Sequence, residues 1–229
     1  PENYWLLKHR AQQMLELEAW EMAKPPLRLL IDLYPQQKGS DNAYRMLVAA
    51  LRASGDKDGE RTLLKKWTEV DDEAPDAYLR LMELGAADKD WTTVAKNAER
   101  YLRVNPLVAP PYRYLAQAST GTGDVSVAVV AWQTLLQLDV PDKSDAHFQL
   151  GKLQQQRGET GAARRHTLMS LEETPRYRDA LRLLLELQRA DADGEVGFRA
   201  PAALEPDPNG EPKPESVAPR AAPSPALLP

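Results

Sequence analysis

Three histidines, His9, His147 and His166, are the imidazoles this sequence could offer to a metal ion or to proton transfer. None stands in an H-E-x-x-H pattern or in any paired-ligand spacing. His147 lies on an apolar helical stripe, where a buried, hydrogen-bonded ring is expected. His166 follows Ala162, Ala163, Arg164 and Arg165 and is expected on a solvated helix face. The carboxylate pairs Asp71-Asp72 and Glu172-Glu173 fall at helix ends or on surfaces, poor places for acid/base partners. No serine has the G-x-S-x-G context of an activated nucleophile, and no glycines form a phosphate-cradling loop. With no cysteine at all, thiolate zinc sites, disulfides and cysteine nucleophiles are excluded. Arg164 and Arg165, with Arg157 nearby, make a basic patch surrounded by acids. The expectation is a segment with no catalytic residue, no bound metal and no cofactor.

What such residues could do depends on the elements that carry them, and those are declared by a repeat. Tyr44, Tyr78, Tyr112 and His147 are spaced by 34, 34 and 35 residues. Leu47, Leu81, Leu115 and Leu150 follow each by three residues; Gly55, Lys89, Gly123 and Gly158 come eight later, each followed by an acid. Within one period, Tyr44, Leu47, Val48 and Leu51 form an apolar stripe at helical spacing. Gly55-Asp56 is a helix stop and turn, and Leu63, Leu64, Trp67 and Val70 make a second stripe. Each period therefore predicts two helices joined by a tight turn. Pro75, Pro110 and Pro111 stand where a first helix begins, a position that tolerates proline.

Composition sets the remaining bounds. The 229 residues carry a formal charge of −5, which argues against a nucleic-acid partner. No apolar run is long enough for a membrane helix, so no membrane partner is expected; Val125 to Trp132, the best, is short and contains Ser126. From Asp191 onward the sequence changes character. Nine of the nineteen prolines lie there, seven acids face three bases, and few large apolar groups remain. Residues 191–229 are expected to be a disordered Pro-rich tail. The chain opens on Pro1 directly into a helical pattern, which reads as a piece of a longer protein; the compartment stays unknown.

These residues resemble the tetratricopeptide repeat, W-x₂-L-G-x₂-Y…A-x₃-F…P. The best match is His147-x₂-Leu150-Gly151, then Ala163, then Pro175; Ala128-x₃-Trp132 fits the middle element. The resemblance implies an all-α fold, a right-handed solenoid of about five helix pairs. The repeat domain spans 1–190, with units at about 4–37, 41–74, 75–108, 109–143 and 144–177 and a capping helix over 178–190. Two departures stand out. Pro25-Pro26 predicts that the first unit's second helix starts there and is short. Glu60 and Trp67 occupy positions normally small, which puts the packing of that unit at issue.

The resemblance also implies where a ligand would lie. In this family the first helices line a concave surface, and the residues one and five after the stripe aromatic face the ligand. By position these are Arg45 and Ala49, Leu79 and Glu83, Arg113 and Gln117, Phe148 and Lys152, then Arg182 and Glu186 on the cap. Arg45, Arg113, Lys152 and Arg182 would present cations along one ribbon, suited to an extended peptide bearing carboxylates. The asparagine that chaperone-tail carboxylate clamps require is missing. The implied function is a non-catalytic interaction scaffold that binds a peptide or partner domain on its concave face. An alternative is the C-terminal helical region of a larger bacterial enzyme, similar to repeats that follow metallopeptidase-like domains, serving substrate orientation or oligomerisation. A homo-oligomer joined through exposed Trp5 or the solenoid's end faces is a further possibility.

Overall fold

The computed structural model describes residues 3–197 apart from 40, 139 and 141, with side chains described to residue 190. Eleven helices, and no strand, are found among the described residues. They are α1 (Tyr4–Glu16), α2 (Trp20–Leu33), α3 (Ala43–Ala53), α4 (Lys57–Val70), α5 (Pro75–Ala87), α6 (Trp91–Val104), α7 (Ala109–Thr122), α8 (Val125–Gln137), α9 (Ser144–Gln156), α10 (Thr160–Glu173) and α11 (Arg178–Gly197). Helices α1 to α10 form five successive pairs, and α11 follows them in the register of a first helix. Among the described residues, those up to Arg189 form one compact unit. The backbone of α11 stays helical to Gly197, seven residues past the expected end of the cap at 190. The rest of the expected disordered tail, 198–229, lies outside the described residues.

The turns inside the pairs follow from local chemistry. Gly55, Gly123 and Gly158 adopt φ of 77°, 82° and 74°, the left-handed conformation that ends a first helix. Lys89 takes the same conformation at φ 59° where the repeat has lysine instead. The acid after the turn then caps the second helix. Asp56 Oδ1 accepts from the Gly59 N–H at 2.9 Å, Asp90 Oδ1 from Thr93 at 3.1 Å and Asp124 Oδ1 from Val127 at 3.2 Å. These bonds hold the Asp90 carboxyl below its usual range, the Thr93 contacts being the largest cause. Glu159, one methylene longer, makes no such cap.

Small residues let the paired helices approach. Ala23, Val94, Ala98, Ala128 and Ala163 are all fully buried at second-helix contact positions. A Cβ on Gly151 of α9 would sit 2.7 Å from Thr167 Oγ1 and 3.2 Å from the Ala163 carbonyl of α10. A Cβ on Gly121 would run into the Trp91 indole, so the bare end of α7 seats a tryptophan from the preceding unit. Buried apolar clusters follow one another along the chain, from α1–α5 through α5–α7 and α7–α9 to α10–α11.

The two departures resolve differently from expectation. Pro25 and Pro26 lie inside α2, which begins at Trp20 and does not start at the pair. The bonds the two prolines forgo would have been accepted by the carbonyls of Glu21 and Met22, both solvent-exposed. Ala23, Leu27, Leu30 and Ile31, on either side of the pair, bury one continuous stripe and hold the helix together. Glu60 is 1% exposed, and Arg80 of the next unit grips it bidentately, Nε to Oε1 at 2.6 Å and the second nitrogen to Oε2 at 3.1 Å. Trp67 stacks on Tyr44 with ring centres 6.2 Å apart. Both large groups are thus accommodated in buried contacts. A crevice of about 470 Å³ remains between α2, α3 and α4, floored by Ile31, Leu47, Leu51 and Leu63.

Candidate functional site

Successive first helices carry the positions expected to face a ligand. On α3, Arg45 and Ala49 are exposed; on α5, Leu79 is half-buried and Glu83 exposed; on α7, Arg113 is half-buried and Gln117 exposed. On α9, Phe148 is half-buried beside exposed Lys152, and on α11 Arg182 and Glu186 are exposed. Phe148, Lys152, Arg182 and Glu186 converge on a cavity of about 290 Å³ between α9 and α11, completed by Gln155, Asp179 and Leu183. The more N-terminal candidates on α3, α5 and α7 do not line that cavity.

Phe148 is fixed by its surroundings. Its ring lies 5.0 Å from that of Tyr177 and packs against the cluster of Ala163, Leu183 and Leu187. The Tyr177 hydroxyl donates to Asp145 Oδ1 at 3.4 Å, and burial first, then that carboxylate, pushes the phenol up to about 12. Tyr177 thus backs Phe148, which itself lines the cavity. Lys152 makes no ion pair among the described residues, whereas Arg182 pairs with Asp179 at 3.3 Å.

The expected ribbon of cations is partly neutralised by Asp76 and Asp179, which were not among the ligand-facing candidates. Arg45 forms an ion pair with Asp76 of the next unit. Glu83 accepts from Arg80 at 2.8 Å, the same guanidinium that holds Glu60, and these contacts raise Arg80 further above its already high value. Asp76, Asp145 and Asp179 occupy one register, three residues before Leu79, Phe148 and Arg182. That periodicity was available as a signal. The resulting surface alternates charge, with Arg113 and Lys152 the candidate cations that make no ion pair among the described residues.

The histidines also meet. His147 Nδ1 and His166 Nδ1 face each other at 3.0 Å with ring centres 5.2 Å apart, a separation close to that of a head-on N–H···N bond. His166 is thus half-buried against α9 and not on a solvated face. Burial is the main cause that lowers both imidazoles below their ordinary value; for His166 the neighbouring His147 adds to it. No group of three or more His, Asp or Glu residues able to hold a metal ion occurs among the described residues.

No protein-family model matches the chain, and no curated protein matches it by sequence. Solved structures do match it in three dimensions. A crystal structure of MamA superposes with a TM-score of 0.60 at 19% identity, covering 68% of this chain and 85% of that one. MamA 41-end from Desulfovibrio magneticus RS-1 gives 0.56 at 18% identity, over 78% of this chain and 98% of that one. YrrB, a TPR protein with an unusual peptide-binding site, gives 0.61 at 13% identity, over 77% and 89%. The fold is that of the tetratricopeptide repeat. The TPR helix pairs account for residues 4–173, and α11 supplies one helix more. None of these relatives ties the chain to the repeats that follow metallopeptidase-like domains. Nor does any helix among the described residues have the length and apolarity to cross a membrane.

Proposed function

We propose that this chain is a non-catalytic TPR scaffold that binds an extended segment of a partner protein on the concave face of its first helices. One observation carries the reading: four residues at ligand-facing positions, Phe148, Lys152, Arg182 and Glu186, gather around one cavity of about 290 Å³. The cavity accepts one apolar side chain against Phe148 and Leu183. Lys152 then receives a carboxylate and Glu186 a donor, which fixes register and direction. Arg113, one unit before Lys152, extends the polar track. The likeness to YrrB, a TPR protein with a peptide-binding site, supports the class of ligand at the level of the fold.

The test is to pan a random-peptide library on the full chain and measure the enriched peptides by fluorescence polarisation. Lys152→Glu and Arg182→Glu are both exposed changes. Each is expected to weaken the peptides about tenfold, the loss of one good charge-assisted contact. Enriched peptides that bind both variants and Arg113→Glu as tightly as the parent would remove the groove from the account.

A further inference from the structure

The crevice between α2, α3 and α4 has a volume of about 470 Å³, within the roughly 300–1,000 Å³ of ordinary ligand sites. On α4 it is bordered by Asp58, Thr62 and Lys66, at i, i+4 and i+8, so it runs along that helix for about 12 Å. Its floor is apolar and deep: Ile31, Leu47 and Leu51 are each 2% exposed, so it admits side chains and not a backbone. Leu47 and Leu51 stand two residues beyond Arg45 and Ala49, about 200° around α3. The crevice therefore lies on the other side of α3 from the ligand-facing positions and is separate from the cavity between α9 and α11.

The repeat supplies a control within the molecule. One unit on, a crevice of about 260 Å³ lies between α4 and α6 over Leu81, the counterpart of Leu47. Ile31, Gly59 and Leu63 of the first crevice become Thr68, Thr93 and Asn97 of the second, 37, 34 and 34 residues on. The second crevice satisfies its own polar groups. Asn97 Nδ2 donates to the Thr93 carbonyl at 2.8 Å, and Arg100, in the register of Lys66, donates to the Thr68 carbonyl at 2.8 Å. The first has no such bonds to make, and its walls gain only from contact with another apolar group. Its rim sets the charge of an occupant. Lys66 and Asp32 face each other at 3.7 Å and neutralise one another across one end. Arg28, one turn before Asp32 on α2, and Asp58, two turns before Lys66 on α4, are exposed and make no ion pair among the described residues.

We propose that this crevice is a second docking site, which takes an amphipathic helix of a partner protein. Large apolar side chains at i and i+4 of that helix reach the floor, an acid beside them pairs with Arg28, and a base pairs with Asp58. A crevice that runs along two helices for about 12 Å holds two turns of an added one, the helix-in-groove mode of recognition. The cation on the α2 side and the anion on the α4 side fix the direction in which it lies. The scaffold then holds two segments at once, on opposite sides of its first helices.

The experiment selects from a displayed library of helix-biased peptides, randomised on one face, on the full chain carrying Lys152→Glu and Arg182→Glu. Failure of the cavity between α9 and α11 as a site therefore leaves the result untouched. The library is depleted on the same chain with Thr62→Trp added. Thr62 is exposed on the rim and its hydroxyl bonds only within its own helix, so the indole fills the crevice from outside the core. The surviving peptides are expected to carry two large apolar residues one turn apart, with an acid and a base beside them. By fluorescence polarisation they should bind Arg28→Glu or Asp58→Lys about tenfold more weakly than the parent, the loss of one charge-assisted contact. A peptide with its acid and base exchanged should recover that loss on the chain carrying both reversals. These two reversals are exposed changes, and they keep the test decisive if the indole disturbs the fold. A library that yields no peptide sensitive to Thr62→Trp would overturn the proposal, as would peptides indifferent to both rim charges. So would light scattering in which Thr62→Trp abolishes a dimer of the parent chain, which would give the crevice to a second copy.

Discussion

Arg80 and Glu60 show how one residue can set the strength of a repeat junction. Glu60 fills a site usually given to a small residue, so its carboxylate is withdrawn from water and depends on Arg80 for compensation. Removing the guanidinium leaves a buried charge without a partner. Arg80→Met is expected to cost about 3 kcal/mol in urea unfolding, the low end for a broken buried pair because Arg80 itself is partly exposed. Glu60→Leu added to it should restore most of the loss, since an apolar pair of similar volume needs no charge compensation. The histidine pair gives a second prediction at this scale. Both rings sit below their ordinary value of 6.5 when folded, so the unfolded chain takes up more protons in acid. The pair's contribution is present above that value and is lost as the pH falls through it toward the folded values. A second proton would also set two N–H groups face to face. Glu172 and Glu173 oppose this trend, and Lys143 and Arg165 reinforce it. The melting temperature should therefore drop between about pH 7.5 and about pH 5, and drop less when His147→Tyr and His166→Gln are combined.

At the scale of elements, the second, third and fourth pairs each set their second helix with an aspartate cap. The fifth pair lacks the aspartate cap and relies on contact instead: Ser144 Oγ donates to the Ser170 carbonyl at 2.9 Å, and Gly151 lets α9 lie on α10. Gly151→Ala would drive its methyl against Thr167 Oγ1 and the Ala163 backbone. The expected loss is about 1–3 kcal/mol by thermal unfolding, the cost of overpacking a tight helix crossing, with Gly151→Val worse. The same shift would move Phe148 and Lys152, so peptide affinity should fall with stability in this variant. It should fall without stability in Lys152→Glu. Helix α2 makes the complementary point that two prolines need not break a helix when the residues that lose their bonds are exposed and the stripe on either side is buried.

For the repeat unit as a whole, each pair contacts only its neighbours, and stability is close to a sum of local terms. Native-state hydrogen exchange should be slowest in α3 to α8, which have complete units on both sides. It should be fastest in α1 and α11, the outermost described helices. Uniform protection from α1 to α11 would mean that the array unfolds as one block. Much of this arrangement was legible beforehand. The constant interval between Tyr44, Tyr78, Tyr112 and His147, the glycine turns and the acids after them specify paired helices because those signals are local: helical periodicity, left-handed turns and side-chain caps act within a few residues. That Phe148, Lys152, Arg182 and Glu186 recur at one register on α9 and α11 was legible for the same reason. Only the tertiary structure decided which charges are spent on one another. Arg45 with Asp76, Arg80 with Glu60 and His147 with His166 are separated by 19 to 31 residues, and they meet only after particular faces stack. It alone also showed that Leu181 and Leu185 are 42% and 55% exposed among the described residues, because an apolar residue spaced for a helix stripe looks the same in sequence whether or not a neighbouring helix arrives to bury it.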